Sequence, residues 1–280
     1  MLWGSAALIL SAGLVLAALR GSIPARTLAI SFAVLVLLDV AGVDRSVLTI
    51  RSKEEVLGES RAAAEYLAEQ TGRFRVYSPS YSLSQQTAAD YRLELADGVD
   101  PLQLKKYADF MEGATGVPQA GYSVTLPPMG DGNPSTANAA YLPDARRLGL
   151  LNVRYVAAEF DLEVTGLELR EQFGETRVYE NLLARPRAWV QPSEAPLGED
   201  ALPVEILSYG PNWIEVDVSA ENGDLLVLSE LDYPGWQARV DGKPAEILAA
   251  DGLLRGVLLS EGARQVVFYY PLWAALIPGW

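Results

Sequence analysis

Two long apolar runs open the chain and set its first elements. Residues 2–19, LWGSAALILSAGLVLAAL, carry no charge, and as a helix they rise about 27 Å at roughly 1.5 Å per residue, near the hydrocarbon thickness of a bilayer. After RGSIPAR comes TLAISFAVLVLLDVAGV at 27–43, shorter and carrying Asp39 near its far end. The pattern predicts two transmembrane helices in a hairpin over residues 1–45. A cleaved signal peptide fits poorly, because no Lys or Arg precedes the first run and Arg20 follows it. Arg20 and Arg26 both lie in the connector, which places it on the cytoplasmic side and both helix ends outside. Asp39 then sits within about one turn of the outer interface, where a solvated carboxylate costs little.

Beyond residue 45 the period changes. Val56, Leu57, Ala63, Ala64 and Leu67 recur at helical spacing before Thr71-Gly72, RFRVYS at 73–78 alternates as a strand, and DPLQLKKYADFMEG reads as a helix capped by Asp100. A stretch rich in Gly, Pro, Ser, Thr and Asn follows at 114–138, long enough to be functional or mobile. Helical DARRLGLL and the strands VRYVAA, LEVTGLEL and TRVYEN complete a mixed α+β domain over 46–195. RPRAWVQPSEAPLGEDALP, punctuated by Pro, reads as the boundary. Seven short runs then alternate with Asn222-Gly223, Asp241-Gly242, Asp251-Gly252 and Glu261-Gly262, the hairpin signal of an antiparallel β-sandwich over 196–270. PLWAALIPGW, 271–280, is too short to span and reads as an apolar tail or the start of a further transmembrane helix. The fold class expected is a membrane-anchored α+β protein: two transmembrane helices, a mixed α+β extracytoplasmic domain and a C-terminal antiparallel β-sandwich.

Charge sharpens this picture and removes whole classes of chemistry. The 280 residues carry a net charge of −14, of which residues 1–43 contribute +1 and the remainder −15; so acidic a body repels nucleic acid. There is no His and no Cys, which excludes Ser-His-Asp and Cys-His catalysis, disulfides and the usual zinc sites. Chance pairs among 36 acidic residues are plentiful. Asp90 and Glu94 could share a helix face, while DGVD and DGN lack the full spacing of a calcium loop and read as turns. No phosphate-binding Gly loop is present, and no catalytic or metal residue stands out. Tyr233 and Trp236, in LDYPGWQARV, are the candidate ligand residues. Their rings suit stacking on a sugar; the plainer reading is that Pro234-Gly235 bends the chain while both rings close one end of the sandwich.

LLVLSELDYPGWQARVDGKPAEI, followed by LLRGVLLSEGARQVVFYYPL, resembles the carboxy-terminal extracytoplasmic segment of the YfhO-type bacterial membrane protein family. The Tyr-Pro-Gly-Trp corner, the Val-Asp-Gly turn, the Arg-Gly-Val strand and the closing Tyr-Tyr-Pro stand in that family's order. LLNVRYVAA, VYENLLARPRAWV and DPLQLKKYADF resemble its preceding segment, so the likeness covers residues 27–275. The resemblance implies a multi-pass protein of the bacterial cytoplasmic membrane with residues 46–270 on the extracytoplasmic face. It implies a whole protein similar to class C membrane glycosyltransferases, which transfer sugar from a polyprenyl-phosphate donor to a cell-envelope glycopolymer. The first outer loop, which carries the catalytic carboxylate in that class, is not in this sequence, so no catalytic residue is carried over and no cofactor is expected in this chain. The expected partners are the lipid bilayer and a cell-envelope glycopolymer or lipid-linked sugar, with no nucleic acid. The competing reading is a non-enzymatic, membrane-anchored envelope protein that binds other proteins.

Overall fold

Both apolar runs are helical. In the computed structural model, which describes residues 2–47, 60–98, 103–119, 133–218 and 223–271, they form α1 (Leu2–Leu19) and α2 (Ala25–Val47). The turn between them uses Gly21 at φ +70°, and the amide of Leu28 donates to the Pro24 carbonyl at 3.1 Å. Side chains such as Ile9, Leu19, Ile30 and Leu37 are exposed.

The expected pair of transmembrane helices requires correction. Among the described residues no helix is long and apolar enough to cross a membrane. The 18 residues of α1 rise about 27 Å, short of a roughly 30 Å hydrocarbon core. In α2 the helix continues through Asp39, Asp44 and Arg45 and begins beside Arg26, leaving residues 27–38 as its uncharged stretch, a rise of about 18 Å. The multi-pass membrane localisation and the membrane-anchored fold class fall with that finding. The side chain of Asp39 and residues 272–280 lie outside the described residues.

The chain divides into two units, Met1–Val56 and Leu57–Trp280. In the second unit α3 (Arg61–Ala68) buries Ala63, Ala64 and Leu67, one face of a helical period. Next come β1 (Arg75–Tyr77), α4 (Gln85–Asp90) and β2 (Glu94–Leu95). The Ser84 hydroxyl caps α4, accepting the Thr87 amide at 3.1 Å. Asp90 ends that helix and Glu94 stands on the strand, so the two acids share no helix face. Helix α5 (Lys105–Thr115) starts later than expected, behind Leu104, and closes on Gly116 at φ +74°; its expected cap, Asp100, lies outside the described residues. The short α6 (Pro134–Ala137) precedes α7 (Ala145–Leu150), capped by Asp144, whose carboxylate accepts the amides of Arg146 and Arg147. Then follow β3 (Val153–Ala158), β4 (Leu167–Phe173) and β5 (Thr176–Asn181).

These strands build a first sheet in the order β2-β1-β3-β5-β4, with β1 parallel to β2 and β3 and the remaining pairs antiparallel. Arg75 faces Val153 and Val76 faces Tyr155, leaving Arg154 as the extra residue of a bulge. Tyr155 and Ala157 consequently pack with α3 and α4, while Val153, Val156 and Ala158 line the opposite core with Tyr77.

The rest of the chain makes two further antiparallel sheets. It supplies β6 (Ala188–Gln191), β7 (Leu202–Pro203), β8 (Glu205–Gly210), β9 (Trp213–Asp217), β10 (Leu225–Leu231), β11 (Gln237–Val240), β12 (Lys243–Ala245), β13 (Leu248–Ala250), β14 (Leu254–Leu258) and β15 (Gln265–Tyr269). The second sheet runs β13-β14-β10-β6-β7 and the third β12-β11-β15-β9-β8. Leu226, Leu228 and Val190 pack with Ile214, Val266 and Phe268 of the third sheet. Their neighbours Val227 and Trp189 enter the core shared with the first sheet. The second sheet is therefore covered on both faces, which is why DLLVLSE reads as an almost unbroken apolar run. Its strand β6 comes from the Pro-punctuated stretch read as a boundary, and pairs antiparallel with β10 from Ala188 to Gln191.

Candidate functional site

A cavity of about 300 Å³ opens beside the end of β2, between Asp97, Gly98 and Gln103 on one wall and Arg75, Glu230 and Tyr233 on the other. The chain turns sharply to make it. Gly98 stands at φ +156°, and a Cβ there would lie 2.3 Å from the side-chain Nε2 of Gln85, the first residue of α4, so a larger residue would displace that side chain from the wall. The Tyr107 hydroxyl donates to the Ala96 carbonyl and ties α5 against the strand end.

Asp97 is 7% exposed. Its Oδ1 accepts the Ser78 amide at 3.0 Å, and its Oδ2 has no partner. Burial pushes this carboxyl up to about 7, against the opposing pull of the amide bond. The same burial, aided by the Asp97 charge, raises the phenols of Tyr77 and Tyr107. Both Nε2 and Oε1 of Gln103 are likewise buried and unpartnered. A buried polar atom without a partner costs roughly 1–3 kcal/mol, and these three atoms belong to two residues that line the cavity.

The opposite wall is held by a partly buried ion network centred on Arg187. Arg75 donates to the carbonyls of Leu151 and Ser229 at 2.9 and 2.8 Å and to Glu230 Oε1 at 2.7 Å. Arg187, 3% exposed, reaches the same oxygen at 2.6 Å and Glu94 Oε2 at 2.7 Å, and the Tyr209 hydroxyl also donates to Glu230 Oε1. Burial works against the charge on Glu230, but Arg75 and Arg187 hold its carboxyl below the usual range. Burial and that neighbouring charge push the Tyr209 phenol up to about 12.

Asp97 and Glu230 thus line one cavity with protonation displaced in opposite directions, the pattern of an acid and base pair. Their hydrogen bonds argue otherwise. Glu230 Oε1 takes three donors from three segments of the chain, and a glycoside hydrolase needs its second carboxylate free for water or sugar carbon. Glu230 fastens the wall.

The two ring residues singled out in the sequence are seated apart. Tyr233 lines the cavity and is 42% exposed. Trp236 packs instead, with the Arg255 guanidinium 3.7 Å over its ring and Tyr270 edge-on at 6.0 Å. Burial lowers Arg255 to about 10. Gly235 permits the arrangement: its φ is +98°, and a Cβ there would stand 2.7 Å from the Tyr270 ring.

Sequence reasoning placed Asp97 in a turn and passed over Gln103. A polar residue directly after the apolar end of a strand, ahead of Gly98, was the available signal. Among the described residues no group of three or more acidic side chains could hold a metal ion. Comparison with known proteins yields no relative: no family model, no curated protein and no solved structure matches the chain. The YfhO resemblance therefore rests on the quoted motifs alone.

Proposed function

We propose that the Leu57–Trp280 unit is a non-catalytic saccharide-recognition module, and that its cavity receives one sugar unit of a cell-envelope glycopolymer or of a polyprenyl-phosphate-linked sugar. The observation that carries this reading is the lining of one cavity by the acidic Asp97, the amide-bearing Gln103 and the half-exposed ring residue Tyr233. A ring face with carboxylate and amide edges is what a polyhydroxylated, partly apolar guest requires. At about 300 Å³ the space lies at the small end of the roughly 300–1,000 Å³ typical of ligand sites, which suits a single ring and not a chain of them.

The test is calorimetric titration of the full chain with a panel of monosaccharides and short oligosaccharides. Saturable binding is expected for at least one sugar, weakened about tenfold, or ~1.4 kcal/mol, by Tyr233→Ala and by Gln103→Ala. Trp213→Ala, on the far side of the third sheet and 47% exposed, leaves it unchanged. Binding by none of the panel, or binding indifferent to both cavity variants, overturns the reading.

A further inference from the structure

A second cavity, of about 490 Å³, opens where the chain leaves α3 and α4. Two arginines line it, Arg73 ahead of β1 and Arg92 ahead of β2, with Tyr91, Leu93 and one acid, Glu94. Both arginine side chains reach solvent: Arg73 is 42% exposed and Arg92 is exposed. A cavity lined by cations runs against the trend of a chain whose net charge is −14.

The backbone holds Arg92 where glycine is the ordinary choice. Its φ is +58°. Its amide donates to the Ala89 carbonyl at 3.2 Å, and the amide of Leu93 donates to the Ala88 carbonyl at 2.8 Å. That pair of bonds closes α4 as a Schellman motif, whose left-handed residue is most often Gly because a side chain is disfavoured there. The arginine in that position gives its guanidinium to no hydrogen bond or ion pair among the described residues.

Arg73, by contrast, is fixed. Its guanidinium stands 3.9 Å over the Tyr209 ring, and it donates to Glu94 Oε1 at 2.7 Å. The other oxygen of that carboxylate accepts from Arg187 at 2.7 Å. Glu94 therefore orients Arg73 while sharing its charge with a further arginine, and positive charge is left over at the cavity.

We propose that this cavity binds the phosphate group of a phosphorylated small molecule, held by the Arg73 and Arg92 guanidiniums. A phosphate monoester presents three oxygens and up to about two negative charges, enough for two planar forks, whereas a carboxylate has two oxygens and one charge. The volume exceeds what a bare phosphate fills and falls within the roughly 300–1,000 Å³ of small-molecule sites, so an organic portion lies beside the half-buried Tyr91 and Leu93. The site is independent of the saccharide reading.

Calorimetric titration of the full chain at pH 8 with phenyl phosphate, benzoate and phenol tests this. Phenyl phosphate is expected to bind saturably and at least about tenfold tighter than benzoate, and phenol not at all. Arg92→Gly removes the guanidinium and relieves the left-handed backbone, so it should weaken binding at least about tenfold while the thermal midpoint holds level or rises. Arg73→Gln, which keeps a donor for Glu94, should weaken binding as well. Arg239→Ala, an exposed arginine on β11 of the third sheet, should leave it unchanged. Equal affinity for benzoate overturns the phosphate assignment. Absence of phenyl phosphate binding, or binding that both Arg92→Gly and Arg73→Gln leave intact, overturns the site.

Discussion

Asp97 couples the cavity to pH through its own proton. Folded, it keeps that proton up to about pH 7; in the unfolded chain an ordinary Asp releases it near ~3.9. Between those values the native state binds more protons than the unfolded state, so stability falls as pH rises through the window and levels off above 7. The total loss is up to about 4 kcal/mol by linkage. Asp97→Asn keeps the bond from the Ser78 amide and removes the titration. Urea unfolding at pH 5 and pH 8 is expected to show the parent losing stability across the interval and the variant holding level; parallel slopes would contradict it. Gly235 is the other residue whose identity the backbone dictates. Gly235→Ala puts a Cβ against the Tyr270 ring at a φ of +98°, and a cost of about 1–3 kcal/mol is expected. Thermal melting reads this as a lower midpoint, whereas an unchanged midpoint would mean that the corner relaxes without strain. The Tyr-Pro-Gly-Trp stretch was legible as a bend. Which ring packed and which faced a cavity was not, because that depends on Arg255 and Tyr270 arriving from other strands.

The elements divide the same way between local and distant causes. Asp241-Gly242 and Asp251-Gly252 turn their hairpins with both residues at positive φ, +47° and +80°, then +51° and +70°, the backbone that Asp-Gly favours between twisted strands. Those turns, and the strands VRYVAA and TRVYEN, could be read directly because alternation and turn chemistry are local. Strand β6 escaped, since RPRAWVQP looks like a linker until β10, more than thirty residues on, supplies its partner. The Arg75–Glu230–Arg187 network escaped for the same reason: Arg75 and Glu230 are 155 positions apart. The network locks β1, β6, β8 and β10 together. Glu230→Gln leaves the buried Arg187 guanidinium and the partly buried Arg75 without their shared counter-charge, and a loss of up to about 3–5 kcal/mol, the cost of breaking a fully buried pair, is expected. Denaturant midpoints for this variant measure the loss; a change below about 1 kcal/mol, the ordinary worth of an exposed pair, would show that the network is not closed to water.

At the scale of the whole molecule, the sequence suggested a domain border near residue 195, whereas the contacts hold Leu57–Trp280 as one unit. The second sheet explains this. It takes β6 from before that border and β10, β13 and β14 from after it, and each of its faces belongs to a different core. Trp189 and Val227 enter the core of the mixed sheet, while Val190, Leu226 and Leu228 enter that of the sandwich. Removing either outer layer uncovers a row of large apolar side chains on the shared sheet, so neither half keeps its stability without the other. Native-state hydrogen exchange can test that coupling strand by strand. The amides of Val156 in the first sheet, Leu228 in the second and Val266 in the third are expected to exchange through one opening with a common free energy and a common denaturant dependence. If Val266 exchanges through a smaller opening while Val156 and Leu228 stay protected, the third sheet is a separable layer and the unit is two-part after all. Asp97→Asn adds a control within the same experiment. Its stabilisation at pH 8 should slow exchange at all three amides equally if the unit opens as a whole, although the substitution touches only the cavity.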